Sequence, residues 1–300
     1  MDMENNVLKL ARHHHLEIDE TSLEFINMGL DFQVVFGTDE NGTEWVLRIP
    51  RRKDVFEKVQ IEKSILDLVN ELDSNFQVPN WEIFTEELIA YKKLEGKPAV
   101  TTDIETQEQD WVFDIKKVPE NYIQSLGKAL ATLHGASKEK AKAAGLPVQS
   151  AAELQTSMKE RMDTVNNRYK VNKSLWERWQ KWIDDEEMWP KETGFIHGDL
   201  FPGHTLVDEQ FKINGIIDWT EAKVADVSND FTAFYMLFGE NQLEELIEAY
   251  NKAGGYTWPK MRQHIMELLS TQGITIAEFA MTSGLEEYDQ IAKQMFSHEQ

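Results

Sequence analysis

Residues 25–51, FINMGLDFQVVFGTDENGTEWVLRIPR, hold two runs in which apolar and polar side chains alternate, separated by Asp39-Glu40-Asn41-Gly42. Alternation at period two marks half-buried strands, and Asn-Gly between such runs marks a tight hairpin. From Val55 to Leu72 the spacing changes. Val59, Ile61, Ile65, Leu66, Leu68 and Val69 recur close to helical intervals, which predicts one helix. WEIF and ELIAYKKL, bounded by Pro79-Asn80 and Gly96-Lys97-Pro98, then predict two short strands. Beyond Pro98 the chain reads as mainly helical. Ile123, Leu126, Leu130 and Leu133 form a stripe over Tyr122 to His134, and Leu175 to Ile183 carries another through Trp176, Trp179 and Trp182. Leu243 to Tyr250 and Ile265 to Met281 continue the pattern. One stretch interrupts it: FIHGDL, TLVD and FKINGIIDW predict a loop followed by a pair of strands. The change of character places a hinge near Leu94 to Pro98.

Composition narrows what such a chain can do. Its 300 residues suffice for one large domain or two modest ones. No apolar run approaches the roughly 20 residues of a membrane helix. The N-terminus has no basic-then-apolar leader, so the expectation is a cytoplasmic protein. With no cysteine there are no disulfides, zinc–thiolate sites or thiol nucleophiles. The net charge of −22 repels phosphate backbones and anionic lipid, which sets aside nucleic acid and membranes as partners. It would favour a cationic small molecule, although charge speaks to solubility first. The tryptophans at three-residue spacing read as core. His13, His14 and His15 point in different directions on a helix and read as a solvated face rather than a metal tract.

The densest chemistry lies in FIHGDLFPGHTLVD, residues 195–208, and in GIIDW, which ends in Asp218. His197-x-Asp199, then His204, then an apolar strand ending in Asp218 is the order of the catalytic and metal segments of kinases. An alcohol is a poor nucleophile at neutral pH, so a carboxylate must take or orient its proton; Asp199 is the candidate. The phosphoryl group brings dense negative charge and needs a divalent ion, Mg2+, held by an oxygen ligand, Asp218, with a second ligand from the loop. That second position is His204 where most kinases have Asn, and magnesium prefers oxygen. His197 would brace the loop. A metal hydrolase would want more ligands at helical spacing, such as H-E-x-x-H, which the chain lacks. Upstream, NMGLDFQVVFG supplies a phosphate-covering hairpin with Gly29 and Gly37, and WVLRIP supplies the cation Arg48 in place of the usual Lys. Arg can grip phosphate oxygens bidentately. Glu62 is its expected helix partner, with Glu57 the rival. The strand IAYKKLEG, through Tyr91, Lys92, Lys93 and Leu94, would present backbone groups to a purine edge.

These segments together resemble the aminoglycoside phosphotransferase-like small-molecule kinases, and most closely the macrolide 2′-phosphotransferases. The resemblance runs from about Leu10 to Tyr288 through GLDFQVVF, EWVLRIPRR, VPNWEIFTEELIAYKKLEG, WQKWIDD, IHGDLFPGHTLVD and GIIDWTEAKVADVSNDFTAFYMLFGE. It implies an α+β, protein-kinase-like two-lobe fold. A small antiparallel β-sheet lobe with a helix would span residues 1–95, and a larger, mainly helical lobe residues 96–300. It implies Asp199 as catalytic base, His204 and Asp218 as metal ligands, Arg48 and Glu62 near the phosphates, and GTP, with ATP the other candidate, as donor. Asp230 in VADVSNDF would brace the HGD loop, with contact to substrate the other reading. Phe201, Phe231, Phe234, Tyr235, Phe279 and Met281 are candidates for an apolar wall facing the antibiotic. The expected acceptor is the 2′-hydroxyl of a macrolide's dimethylamino sugar, acted on by a monomer. An aminoglycoside or other amino-sugar kinase, and a nucleotide-binding module without turnover, stay open as alternatives.

Overall fold

The computed structural model describes residues 2–26, 31–52, 55–103 and 106–297. Helix α1 (Asp2–His13) leads into strands β1 (Glu24–Ile26), β2 (Phe32–Thr38) and β3 (Glu44–Pro50). Helix α2 (Val55–Asn70) and strands β4 (Ile83–Phe84) and β5 (Ile89–Lys92) follow. The five strands make an antiparallel sheet in the order β1-β2-β3-β5-β4. The β2–β3 turn forms where Asn-Gly predicted it. Gly42 takes a φ of +81°, which glycine adopts at no steric cost, and the Asp39 carboxylate accepts from the amides of Asn41 and Thr43 at 2.9 Å. The register sets Arg48 opposite Val34 and Ile89, and Val46 opposite Tyr91.

The rest of the chain is mostly helical, with short ladders where the functional loops leave. Strands β6 (Lys97–Pro98), β7 (Val100–Thr102) and β8 (Gln109–Trp111) precede helices α3 (Glu120–His134), α4 (Lys138–Ala143), α5 (Ala151–Tyr169) and α6 (Lys173–Asp184). Then come β9 (Gly194–Ile196), β10 (Thr205–Val207), β11 (Ile213–Ile216) and β12 (Lys223–Ala225). Helices α7 (Asn229–Lys252), α8 (Met261–Ser270), α9 (Gln272–Ser283) and α10 (Glu286–Ser297) complete the described chain. None of its helices is long and apolar enough to cross a membrane.

Three apolar clusters hold these layers. Val7, Leu8 and Ala11 of α1 pack on Val35, Leu47 and Leu88 of the sheet. Val59, Ile65 and Val69 of α2 join Tyr122 and Leu126 of α3 and Phe231 and Leu246 of α7 in a continuous core across both halves. Met162, Trp179, Trp182, Ile274 and Phe296 form the third, so the tryptophan stripe is core. A backbone contact ties the sheet-bearing part to the helical part: Gln77 exchanges hydrogen bonds with β11, its N–H to Asn214 O at 2.8 Å and its O from Ile216 N at 2.9 Å. Strand β6, just after residue 96, pairs with β10.

Several elements depart from the sequence reading. Helix α1 is additional to the one helix read before Tyr91. The β7–β8 hairpin interrupts the helical part. The Ile265–Met281 stripe is two helices meeting at Thr271, and α7 is kinked at Gly239, where φ is +81°.

Helices α3 and α7 approach closely at Gly127, where an added Cβ would lie 2.7 Å from both Ala249 Cβ and Tyr250 N. Gly127→Ala gains about 1 kcal/mol of helix propensity but overpacks a seam where such insertions cost about 1–3 kcal/mol. The variant is expected to unfold at lower urea concentration than the parent. An unchanged or higher midpoint would show that the two helices yield.

Candidate active site

The loop 197–204 leaves β9 and enters β10, and a separate ladder holds each end. β9 pairs with β12, Ile196 opposite Lys223, and β10 pairs with β11, Thr205 opposite Ile216. Asp230, in the first turn of α7, fixes the loop's entrance. Its carboxylate accepts from His197 N–H and Gly198 N–H, both at 2.8 Å, and from His134 Nε2–H at 3.1 Å. His134 is bonded in turn, through Nδ1, to the Tyr250 hydroxyl at 3.0 Å. Burial would raise the Asp230 pKa, yet the His134 bond, the neighbouring imidazoles and the Gly198 amide outweigh it and hold it below its ordinary value. Gly198 has a φ of +85°, and any Cβ there would run into the carbonyl oxygen of Glu221. Only glycine passes.

His197 is fully buried and links the two ladders. Its Nε2–H donates to Ile217 O at 3.0 Å, and its Nδ1 accepts from Asp199 N–H at 3.3 Å. That pattern fixes one neutral tautomer, and burial, the largest influence, pushes its pKa down.

Asp199, His204 and Asp218 come together at the exposed end of the loop. His204 Nδ1–H donates to the Asp199 backbone carbonyl at 2.9 Å, and the same nitrogen lies 3.8 Å from the Asp199 carboxylate. With Nδ1 carrying the proton, His204 Nε2 is left with a lone pair and lies 3.6 Å from Asp218 Oδ2. Asp218 sits at a φ of +64°, a region costly for a non-glycine residue and found chiefly where structure or function imposes it. Its Oδ1 accepts from the Thr220 hydroxyl at 3.1 Å. An imidazole lone pair facing a carboxylate oxygen suits a divalent cation. No group of three or more such ligands occurs among the described residues.

On the sheet side, Arg48 and Glu62 make a largely buried bidentate pair, Nη1 to Oε1 at 2.7 Å and Nη2 to Oε2 at 3.3 Å. The guanidinium also covers the Phe32 ring at 4.3 Å and Trp81 at 5.4 Å. Burial would lower the Arg48 pKa, but Glu62, and after it Tyr91 and Asp218, hold it above its ordinary value. Tyr91 is pushed up to about 12, chiefly by burial; Arg48 opposes this, and Glu62 and Asp218 add to it. Asp218 thus lies within electrostatic reach of both residues.

The remaining candidates divide. Gly29 and the Glu57 side chain lie outside the described residues. Gly37 is inside β2 against Ile18, not in a phosphate-covering turn. Lys92 and Lys93 pair their amines with Glu82 and Glu44, at 2.9 and 2.8 Å, and Lys93 N–H is spent on Glu44 O. Leu94 is half-buried beside them. Phe201 is half-buried next to His204, ring centroids 6.2 Å apart. Phe231 and Phe234 are buried in the core, Phe231 against His134 and Tyr250 and Phe234 against Phe238, because the inner face of α7 packs on α3. They form no open wall, and Asp230, equally buried, braces the loop rather than facing a ligand. Tyr235 is half-buried, Met281 packs on the third cluster, and Phe279 is 48% exposed with its ring edge-on to Tyr288. Two buried histidines were not foreseen: His134, and His264, which receives Trp182 Nε1–H at 3.1 Å and donates to Asp226 at 2.6 Å. Their only trace in the sequence is a lone histidine on an apolar helix face.

A small antiparallel β-sheet followed by a mainly helical body, with an exposed carboxylate, a neighbouring His–Asp pair and a largely buried Arg–Glu pair, is the layout of a kinase. The chain belongs to the phosphotransferase enzyme family, whose pattern it matches over residues 22–264. Its fold is similar to that of macrolide 2′-phosphotransferase MphH from Brachybacterium faecium, with a TM-score of 0.93 and 32% identity, covering 100% of this chain and 99% of that one. It is also similar to macrolide 2′-phosphotransferase type I, with a TM-score of 0.85 and 36% identity, over 99% and 97% of the two chains. An uncharacterized protein of Bacillus subtilis (strain 168), YcbJ, is 38% identical over 286 residues, 95% of this chain and 93% of its own.

Asp226 and Asp230 are both buried with carboxyls held below their ordinary 3.8. The unfolded chain therefore binds more protons than the native one in acid. Stability from these groups is complete above the unfolded value and is lost as pH falls through 3.8 toward the native values. Asp226→Asn, which removes the partner of His264, is expected to cost about 3 kcal/mol at pH 7 and to flatten the acid limb of the unfolding free energy. A limb as steep as the parent's would refute the assignment.

Proposed function

We propose that the protein transfers the γ-phosphoryl group of GTP, with ATP as the alternative donor, to the 2′-hydroxyl of a macrolide's amino sugar. The observation that carries this reading is the Asp199 carboxylate, 58% exposed, beside a His204–Asp218 pair poised for a cation. The macrolide is supported by the likeness to two macrolide enzymes over nearly the whole chain. In the transfer, the sugar oxygen attacks the γ-phosphorus, the bond to the β–γ bridging oxygen breaks, and the hydroxyl proton passes to Asp199. The other product is the nucleoside diphosphate. His204 Nε2 and Asp218 would hold Mg2+, which supplies positive charge to the phosphate oxygens. Arg48, fixed by Glu62, adds a cation on the sheet side, and the backbone near Leu94 would meet the purine edge. Lys92 and Lys93 would contribute main chain only. For the acceptor, exposed Phe279 and half-buried Phe201, Tyr235 and Met281 are the remaining wall candidates.

Purified protein with Mg2+, either nucleotide and erythromycin is expected to yield the macrolide with one added phosphate by mass spectrometry; no adduct with either donor overturns the reading. Asp199→Ala should reduce turnover by about 10²–10⁴-fold while nucleotide binding, followed by thermal shift, stays near the parent's. A mutant of parental activity would remove Asp199 as the base. His204→Ala should raise the Mg2+ concentration for half-maximal rate by about tenfold or more. An unchanged requirement would exclude His204 as a ligand.

A further inference from the structure

We propose that Glu221 is the counter-ion for the ammonium group that neighbours the acceptor hydroxyl, and so selects amine-bearing sugars. This rests on the reading that the acceptor is an amino sugar.

Glu221 follows the metal-side segment Asp218-Trp219-Thr220 and is pressed against the catalytic loop. Its backbone oxygen would be struck by any Cβ at Gly198, and its own Cβ would lie 3.1 Å from that atom. Gly198 directly precedes Asp199 in the chain. The Glu221 side chain therefore starts against Gly198, one residue before the candidate base, and is exposed. Among the described residues its carboxylate has no hydrogen-bond or ion-pair partner, while Asp208, Asp226 and Asp230 nearby in sequence are all tied to backbone amides. Lys223, the next cation along, lines a separate groove with Glu153 and Glu160 of α5.

The chemistry requires a second carboxylate there. In a vicinal amino alcohol the ammonium and the reacting hydroxyl occupy adjacent carbons, so a protein that grips one has the other within a side chain's reach. If Asp199 took the ammonium, its oxygen would be engaged and its basicity lowered by the positive charge, and proton acceptance from the hydroxyl would suffer. A separate anion one loop position away relieves Asp199 of that task. Glu221, pressed against the residue before Asp199, is a carboxylate with no partner among the described residues.

The test is a kinetic comparison of the parent, Glu221→Gln, Glu221→Asp and, as a control removing the same charge elsewhere, Glu209→Gln in the β10–β11 turn. Acceptors are erythromycin and its N-oxide, in which the amine no longer carries a net charge. Glu221→Gln is expected to raise KM for erythromycin by about ten- to a hundredfold, the range for a charge-assisted bond. It should leave kcat within a few-fold and the nucleotide KM unchanged. Glu221→Asp should recover part of the loss, Glu209→Gln should match the parent, and the N-oxide should show little difference between parent and Glu221→Gln. Equal KM shifts for amine and N-oxide, or no shift, overturn the proposal. If the parent phosphorylates an aminoglycoside and no macrolide, the macrolide reading fails alone and the same comparison is made with that amine and its N-acetyl form. Turnover confined to amine-free acceptors overturns both.

Discussion

The site is organised by one buried anion. Asp230 carries a full charge in a place without water, where desolvation costs several kcal/mol. Three donors meet it: two amides from the catalytic loop and one imidazole from α3. Hydrogen bonds to a charged group contribute about 1.5–3 kcal/mol each, and the N-terminus of α7, where Asp230 lies in the first turn, adds a favourable dipole. Together these match or exceed the desolvation cost, so the carboxylate stays ionised. The coupling runs both ways. The loop keeps its path because its amides have no other acceptor, and α7 keeps its angle to α3 because His134 and Tyr250 continue the network. A residue between a buried anion and an exposed base must also turn sharply, which is why position 198 admits only glycine.

From that anchor the candidate catalytic groups divide between two ladders. β9–β12 carries Asp199 and Glu221 at its end, and β10–β11 carries His204 and Asp218. The seam between them is bridged by His197, whose two nitrogens reach one group on each side. In the proposed reaction the acceptor lies on the first ladder and the phosphate on the second, so the relative position of the ladders is the relative position of nucleophile and electrophile. A neutral, buried imidazole suits that post, since burial disfavours the charged form and both nitrogens are already committed. On the facing sheet, Arg48 gains from being an arginine: it satisfies Glu62 through two bonds while its flat face rests on Phe32, which a lysine could not do at once.

What the sequence disclosed follows from how locally each feature is encoded. The hairpin at Asn41-Gly42, helix α2 and the loop from His197 to Asp218 depend on residues close in the chain, and each was readable. The break at Thr271 has no proline or glycine at that position, so the apolar stripe of Ile265–Met281 looks continuous. The aromatic wall was the hardest to read. Phe231, Phe234 and Phe279 all stand at helical spacing, and only the partner helix decides that the first two are core and the third is exposed. The same limit hid His134 and His264, because whether a histidine is a solvated side chain or a buried brace depends on an aspartate far away in sequence.

The acidity of the chain can be weighed against this geometry. At physiological ionic strength charges are screened within about 8 Å, so the net −22 guides a cation toward the protein without telling one amine from another. Discrimination has to arise within a few ångströms of the reacting oxygen. Asp230 is buried and spent on amides, and in the proposed reaction Asp218 faces the phosphate side while Asp199 must remain free for a proton. Each role removes that carboxylate from contact with the amine, and what is left beside the loop is the unpaired Glu221. On this proposal the overall charge and the local carboxylate act at different stages, the first on encounter and the second on the choice of substrate, and a surface substitution that alters the first need not disturb the second.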